Sequence, residues 1–370
     1  MKKLRLLIIA PLLLLTLAFF TGQADAADCR RSAAGVYVCD ARPEPPTFSG
    51  PGFRSGSLMF DRNYVWLEDH APLYTEPSLD ADIAVEGTVG ILYYTVEGMV
   101  TDEAGNQWYK VADNEYAPSE TIYHYEPSRL TGLEVNRQPE RPFGWVMQRA
   151  QPSPAPDEPP AEDTEWIPRY TFVEIFDVAL GAEGWLWMDI GDGRWLKQTN
   201  LALVDISPRP EEVGEDEFWV GVDLFEETFA AYEGDRMVYA GLTATGLEGW
   251  ETNEGLFTVY ARHHEWPMWG GDPGDDYYYL QDVPHTMFFD DDIALHGAYW
   301  HNDFGAPRSH GCVNMTPRDA EWVWYWSEDA PNEDLWVHVY SSPQDYFLQE
   351  YGNDLQTVSA PAMWNLRSGN

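Results

Sequence analysis

The stretch ALHGAYWHNDFGAPRSHGCVNM, Ala294–Met315, decides how this chain is read. It sets Cys312 between His310-Gly311 and Val313-Asn314, with a second histidine–glycine pair, His296-Gly297, upstream. A thiol attacks as its thiolate, and at an ordinary pKa near ~8.5 only a few per cent is ionised at neutral pH, so a nucleophilic cysteine needs a base nearby. His296 and His310 both offer an imidazole, and the sequence alone does not rank them by distance. Gly311, lacking a side chain, lets a substrate carbonyl approach the backbone closely. The N–H groups of Gly311 and Cys312 are then candidates to stabilise an oxyanion. Asn314 suits a turn pinned by hydrogen bonds from its side chain to backbone.

Just beyond, Thr316 is placed to cap a helix, Pro317 to take its first position and Asp319 to face its amino end, ahead of AEWVWYW. Ala320, Val323, Trp324 and Ser327 would share one face of it. If Cys312 sits just ahead of that helix, the positive helix end is expected to favour thiolate. Upstream, FWVGVDL, TFAAYEGDRMVYAGLTAT and GLFTVYAR read as strands, with Glu233-Gly234-Asp235 a hairpin turn. Residues 215–341 are therefore expected to form a mostly β domain with one or two helices. About the tail, 342–370, the sequence says little.

Why Cys312 stands apart follows from the amino terminus. Lys2, Lys3 and Arg5 precede an apolar run, Leu6 to Phe20, and then Ala24-Asp25-Ala26, the pattern of a cleaved signal peptide over residues 1–26. The run is shorter than the roughly 20 residues that span a bilayer. Asp28, before Cys29, does not suit a lipoprotein signal. Export to an oxidising compartment favours disulfides. Cys29 and Cys39 flank Gly35–Val38 and form the natural local pair, leaving Cys312 as the free thiol. Residues 27–56 read as this segment followed by a Pro-rich linker, RPEPPTFSGPG (Arg42 to Gly52).

With 22 basic against 62 acidic residues and a formal net charge of −40, binding to nucleic acid or anionic lipid is disfavoured, and the partner should be cationic, zwitterionic or neutral. An aromatic content of 15%, with 17 Trp, excludes a disordered acidic chain. Between linker and strands lies an internal repeat. Trp108 laid over Trp187, an offset of 79, also carries Tyr116 to Trp195, Ile122 to Leu201 and Trp66 to Trp145. Short alternating strands broken by Asp, Asn, Gly and Pro predict two small all-β barrels, 57–134 and 142–206. QPSPAPDEPPAEDT, Gln151 to Thr164, reads as a surface loop within the second. The copies resemble bacterial Src-homology-3-like modules, a resemblance that implies either attachment to the cell wall or a spacer without ligand.

The pair HG at 296–297 followed by SHGCVN at 309–314 resembles the signature of the L,D-transpeptidase catalytic domain, and the likeness extends over about Phe218 to Ser341. The resemblance implies Cys312 as nucleophile and His296 as proton acceptor and donor, oriented by the Gly297 carbonyl. It implies His310 on the oxyanion side, supported by Ser309. Arg308 is a candidate partner for a substrate carboxylate, or for one of the many surface acids. Where the family has proline in TPxGxF, this chain has Asn253 in TNEGLF, which touches a turn and not the catalytic groups. A mobile flap is expected over His263 to Pro284, with Tyr279 among its substrate-facing residues. His301 either lines the cleft or is structural, and His263-His264-Glu265 lacks zinc-site spacing.

The fold class expected is thus mostly β: two small barrels, then a β-rich catalytic domain. The activity implied is cysteine acyl transfer between peptidoglycan stem peptides, without metal or organic cofactor, by an exported, wall-associated protein that carbapenem-type inhibitors would trap. The alternatives are an L,D-carboxypeptidase-type hydrolase using the same residues and a non-catalytic wall-binding protein.

Overall fold

The computed structural model describes residues 29–31, 37–39, 47–51, 62–204, 206–331, 334–342 and 363. The chain forms two compact units, one up to Pro45 and one from Pro46 onward. In the first, Cys29–Arg31 pairs antiparallel with Tyr37–Cys39, with Cys29 opposite Cys39. The expected disulfide concerns side chains outside the described residues, as do the signal peptide and nearly all of the 342–370 tail. No helix among the described residues is long and apolar enough to cross a membrane.

The second unit is mostly β, with the helix Pro317–Ser327 as its main exception. Thr316 Oγ1 accepts from the Asp319 N–H at 3.1 Å, which satisfies one of the free donors at the helix start. Ala320, Val323 and Trp324 bury one face against the sheet carrying Met287, Leu295 and Val313. The hairpin Thr228–Glu233 to Arg236–Ala244 turns at Gly234-Asp235 as its sequence predicts.

Short strands of the amino-terminal half recur at the same spacing as the tryptophans. Tyr64–Leu67, Gly98–Thr101, Gln107–Ala112 and Ile122–His124 return as Phe143–Val146, Asp177–Leu180, Leu186–Asp189 and Leu201–Val204. In each copy a short 3-10 turn, Ser119–Thr121 or Gln198–Asn200, precedes the last strand. These are the two β modules.

The boundaries are less tidy than the sequence suggests. Phe48–Ser49 and Leu133–Val135, expected in the linker and at the end of the first module, pair with each other, and Leu133–Val135 pairs with Arg236–Ala244 of the carboxy-terminal domain. A sheet edge with unmet N–H and C=O groups recruits whatever extended segment lies alongside. The same logic joins the first module to that domain. Ile91–Thr95 runs parallel to Tyr278–Asp290, so a 14-stranded sheet continues from Ile122–His124 across to Gly255–Thr258.

Candidate active site

Cys312 is the free cysteine of the described residues and sits at the turn that enters the strand Val313–Met315. That strand runs parallel to Ile293–Gly297, with Leu295 opposite Val313 and His296 opposite Asn314. The register brings His296 and Cys312 to one cleft, which Ser309, His310, Arg308 and Asn314 also line. Gly297 lies buried at the end of the His296 strand. The six-residue signature and the upstream pair are thus one site.

The loop before the cysteine is braced from within. Ser309 Oγ donates to the Cys312 carbonyl at 2.5 Å and accepts from the Gly311 N–H at 3.1 Å. Thr252 Oγ1 donates to the Gly311 carbonyl at 2.6 Å. Gly311 has φ of +116°, a conformation that side chains rarely adopt, so glycine is required there for its backbone. Further back, the Thr245 carbonyl accepts from the N–H groups of Arg308 and Ser309, while Thr245 itself donates to the buried carboxylate of Glu227 through N–H, 2.8 Å, and hydroxyl, 2.5 Å. Glu227, Thr245 and Thr252 were not singled out from sequence. Thr252 opens TNEGLF, next to Asn253, whose amide donates to Asp290 at 2.8 Å.

Three expectations change on contact with this geometry. The Gly311 N–H is engaged by Ser309, so it is not a free oxyanion donor. Asn314 lies in a strand and its amide meets His301 Nε2 at 2.9 Å, not the backbone of a turn. His301 Nδ1 accepts from the Asp303 N–H, so the ring proton is on Nε2 and the pairing is satisfied when Asn314 turns its amide oxygen toward it. Thirdly, the helix does not yield a resting thiolate. Although Cys312 is only partly buried, the desolvation its crowded surroundings impose, reinforced by Asp292 and opposed by a backbone bond at Ala294, pushes its thiol up to about 11. Three strand residues, on the order of 10 Å of chain, separate it from the helix start, and the dipole acts mainly within the first turn. Its Sγ–H points to the Asp292 carbonyl at 3.6 Å.

His296 is buried. Loss of water lowers its pKa to about 3, against the pull of the Gly297 backbone and with the help of His301. Its Nδ1 makes no hydrogen bond, and Trp300 stacks on the ring at 5.6 Å. Cysteine and histidine are therefore both neutral at rest. His310 is sandwiched differently, stacked on Tyr278 at 5.0 Å, edge-on to Trp250 at 4.6 Å and 3.8 Å from the Asp276 carboxylate. Arg308 faces Asp303 at 3.7 Å, a loose pair that leaves its guanidinium half exposed at the cleft.

The expected flap is a long antiparallel hairpin, Ala261–Gly270 to Tyr278–Asp290. Side chains alternate across a strand, so Tyr278 and Leu280 face the cleft while Tyr279 faces away and packs on Tyr94 of the first module at 5.1 Å. Tyr278, not Tyr279, is the tyrosine of the site. Parity along the strand was the available signal, but the register was not fixed by sequence.

Residues 217–339 match the YkuD family, the L,D-transpeptidase catalytic domain. Curated proteins give no match. Among solved structures, an L,D-transpeptidase from Mycobacterium smegmatis is 20% identical, with TM-score 0.31, over 48% of this chain and 73% of that one. An L,D-transpeptidase from Stackebrandtia nassauensis is 20% identical, with TM-score 0.27, over 35% and 58%. The catalytic domain of the E. faecium enzyme is 21% identical, with TM-score 0.29, over 34% and 98%. The family match spans the strands and loops that carry His296, the 309–314 turn and Cys312, and it supports a peptidoglycan L,D-transpeptidase.

Proposed function

We propose that this chain is exported and cross-links peptidoglycan stem peptides by two-step acyl transfer through Cys312. The observation that carries the reading is the convergence of a free cysteine and a buried, neutral histidine on one cleft inside the matched domain. As Sγ bonds to the donor carbonyl carbon, its proton passes to His296, whose neutral imidazole is ready to accept it. The Gly297 backbone pulls toward the charged ring without a formed hydrogen bond to Nδ1 at rest, and would close on the imidazolium that results. The bond to the terminal D-residue breaks, His296 returns the proton to the departing amine, and a thioester remains. An amine from a second stem then attacks, forming the new amide and restoring the thiol. With the Gly311 N–H held by Ser309, the Cys312 N–H and the His310 ring are the oxyanion donors, and Arg308 meets a stem carboxylate. A thiol that ionises only when a carbonyl arrives is protected from adventitious oxidation.

The two β modules are proposed to be Src-homology-3-like barrels, supported by the offset of 79 that their strands share. Carbapenem-type inhibitors would acylate the same sulfur. Intact mass after exposure to a stem tetrapeptide tests the reading. Wild type should gain the acyl group, and adding an amine acceptor should convert it to cross-linked peptide. Cys312→Ala should gain nothing, and retained acylation in that variant removes the nucleophile assignment. Trimmed tetrapeptide without cross-linked product would make the enzyme a hydrolase.

A further inference from the structure

The described cleft offers only about 90 Å³, whereas sites for drug-sized ligands run to roughly 300–1,000 Å³. Its roof is the 261–290 hairpin, which pairs with Ile293–Gly297 of its own domain near its base and with the first module near its tip. Ile91–Thr95 of the first module pairs in parallel with the hairpin, placing Ile91 against Tyr278, Leu92 against Tyr279 and Tyr93 against Leu280. The Ile91 N–H donates to the Tyr277 carbonyl at 3.0 Å. Gln281 ties the hairpin to the module at both ends of its amide, accepting from the Thr95 N–H at 3.1 Å and donating to the Val111 carbonyl at 3.0 Å. Tyr277 and Tyr279 pack into the module's own core. On the opposite side of that ladder, the Ile91 side chain, 45% exposed, lines the cleft together with Tyr278 and Cys312.

We propose that the first β module is a working part of the active site, with Ile91 the residue that sets the width of the cleft and hence the bulk of the acyl donor that reaches Cys312. A module about 220 residues upstream of the nucleophile in sequence thereby contributes specificity by sheet addition. A side chain at a cleft wall discriminates by size, and one or two methylenes are worth about tenfold in rate. Because Ile91 is nearly half exposed, truncating it removes little burial from the module core.

This inference rests on the transpeptidase reading for its donor, so it is tested by a readout that does not. Alkylation rates at Cys312 are measured by peptide mass with iodoacetamide and with N-phenylmaleimide, a small and a bulky probe. Acylation by a stem tetrapeptide is measured alongside. Ile91→Ala should raise the bulky-to-small ratio about tenfold, and Ile91→Trp should lower it about tenfold, with parallel changes in tetrapeptide acylation. Both variants should retain the wild-type melting temperature and slow hydrogen exchange at Tyr277–Leu280, which shows that the ladder is intact. An unchanged ratio in both folded variants overturns the proposal even if wild type is acylated normally. A shifted ratio in a protein that no tetrapeptide acylates upholds the role of Ile91 and sinks the transpeptidase reading instead.

Discussion

The two β modules share their strand spacing yet join the catalytic domain in opposite ways. The first lends a strand whose backbone ladder with the hairpin has a fixed register, alongside packed side chains such as Tyr64 stacked on Tyr299 at 3.8 Å. The second lends side chains. Phe143, Trp145 and Met147 pack with Trp219, Tyr232 and Phe304 in one core, and Tyr170 donates its hydroxyl to the carbonyls of Asn302 and Phe304. A ladder specifies position along a strand and so transmits a geometry to the cleft, whereas an apolar core supplies stability without dictating register. The strand spacing is shared, but it is the first module that places a residue, Ile91, in the Cys312 cleft.

The largest effect that can sharpen this contrast is in the pH dependence of Cys312. Its folded pKa is raised, so the reactive thiolate increases with pH all the way to about 11. Alkylation should climb about tenfold per pH unit, roughly a thousandfold from pH 7 to 10, with no plateau near 8.5. A plateau there would mean that the surroundings of this partly exposed sulfur do not raise its pKa. Next is Trp145→Ala in the second module. Trp145 is buried, and truncation should cost about 3–5 kcal/mol in urea melts while leaving the bulky-to-small alkylation ratio of the folded protein unchanged. A changed ratio would erase the distinction between the modules.

A smaller loss should follow Gly90→Ala in the first module. A Cβ at Gly90 would stand 2.3 Å from the Tyr277 carbonyl oxygen, so the ladder must shift at about 1–3 kcal/mol. Faster hydrogen exchange at Tyr277–Leu280 and a Cys312 pKa moved back toward the ordinary thiol value are expected. Unaltered exchange would show that the ladder is slack. Least affected should be Arg62→Ala. Arg62 bonds to Glu265 at 2.9 Å and lies 3.5 Å from Asp282, but the pair is partly exposed, so about 0.5 kcal/mol is expected. A melting loss several times larger would make the side chains, not the ladder, the joint between module and hairpin.

What the sequence made legible was local. The hairpin at Gly234-Asp235, the capped start at Thr316-Pro317 and the pairing of His296 with the SHGCVN turn each depend on residues close together or on one strand register. Three misplacements share a cause, which is that partners decide them. Tyr278 and Tyr279 differ only in parity, Asn314 needed His301 to be found across the loop, and the thiol's ionisation depends on how completely the fold excludes water. Ile91 was beyond reach because its neighbour in the sheet, Tyr278, lies in another half of the chain. Glu227, a buried carboxylate behind the loop, looked like any acid among 62.

Ile91 falls well outside residues 217–339. Variation that altered the reach of a covalent inhibitor could therefore arise in a module that surveys of the matched domain never inspect. Attention confined to the signature around Cys312 would fall on a loop that Gly311, Ser309 and Thr252 hold in place, and would overlook a half-exposed wall residue supplied from outside the matched domain.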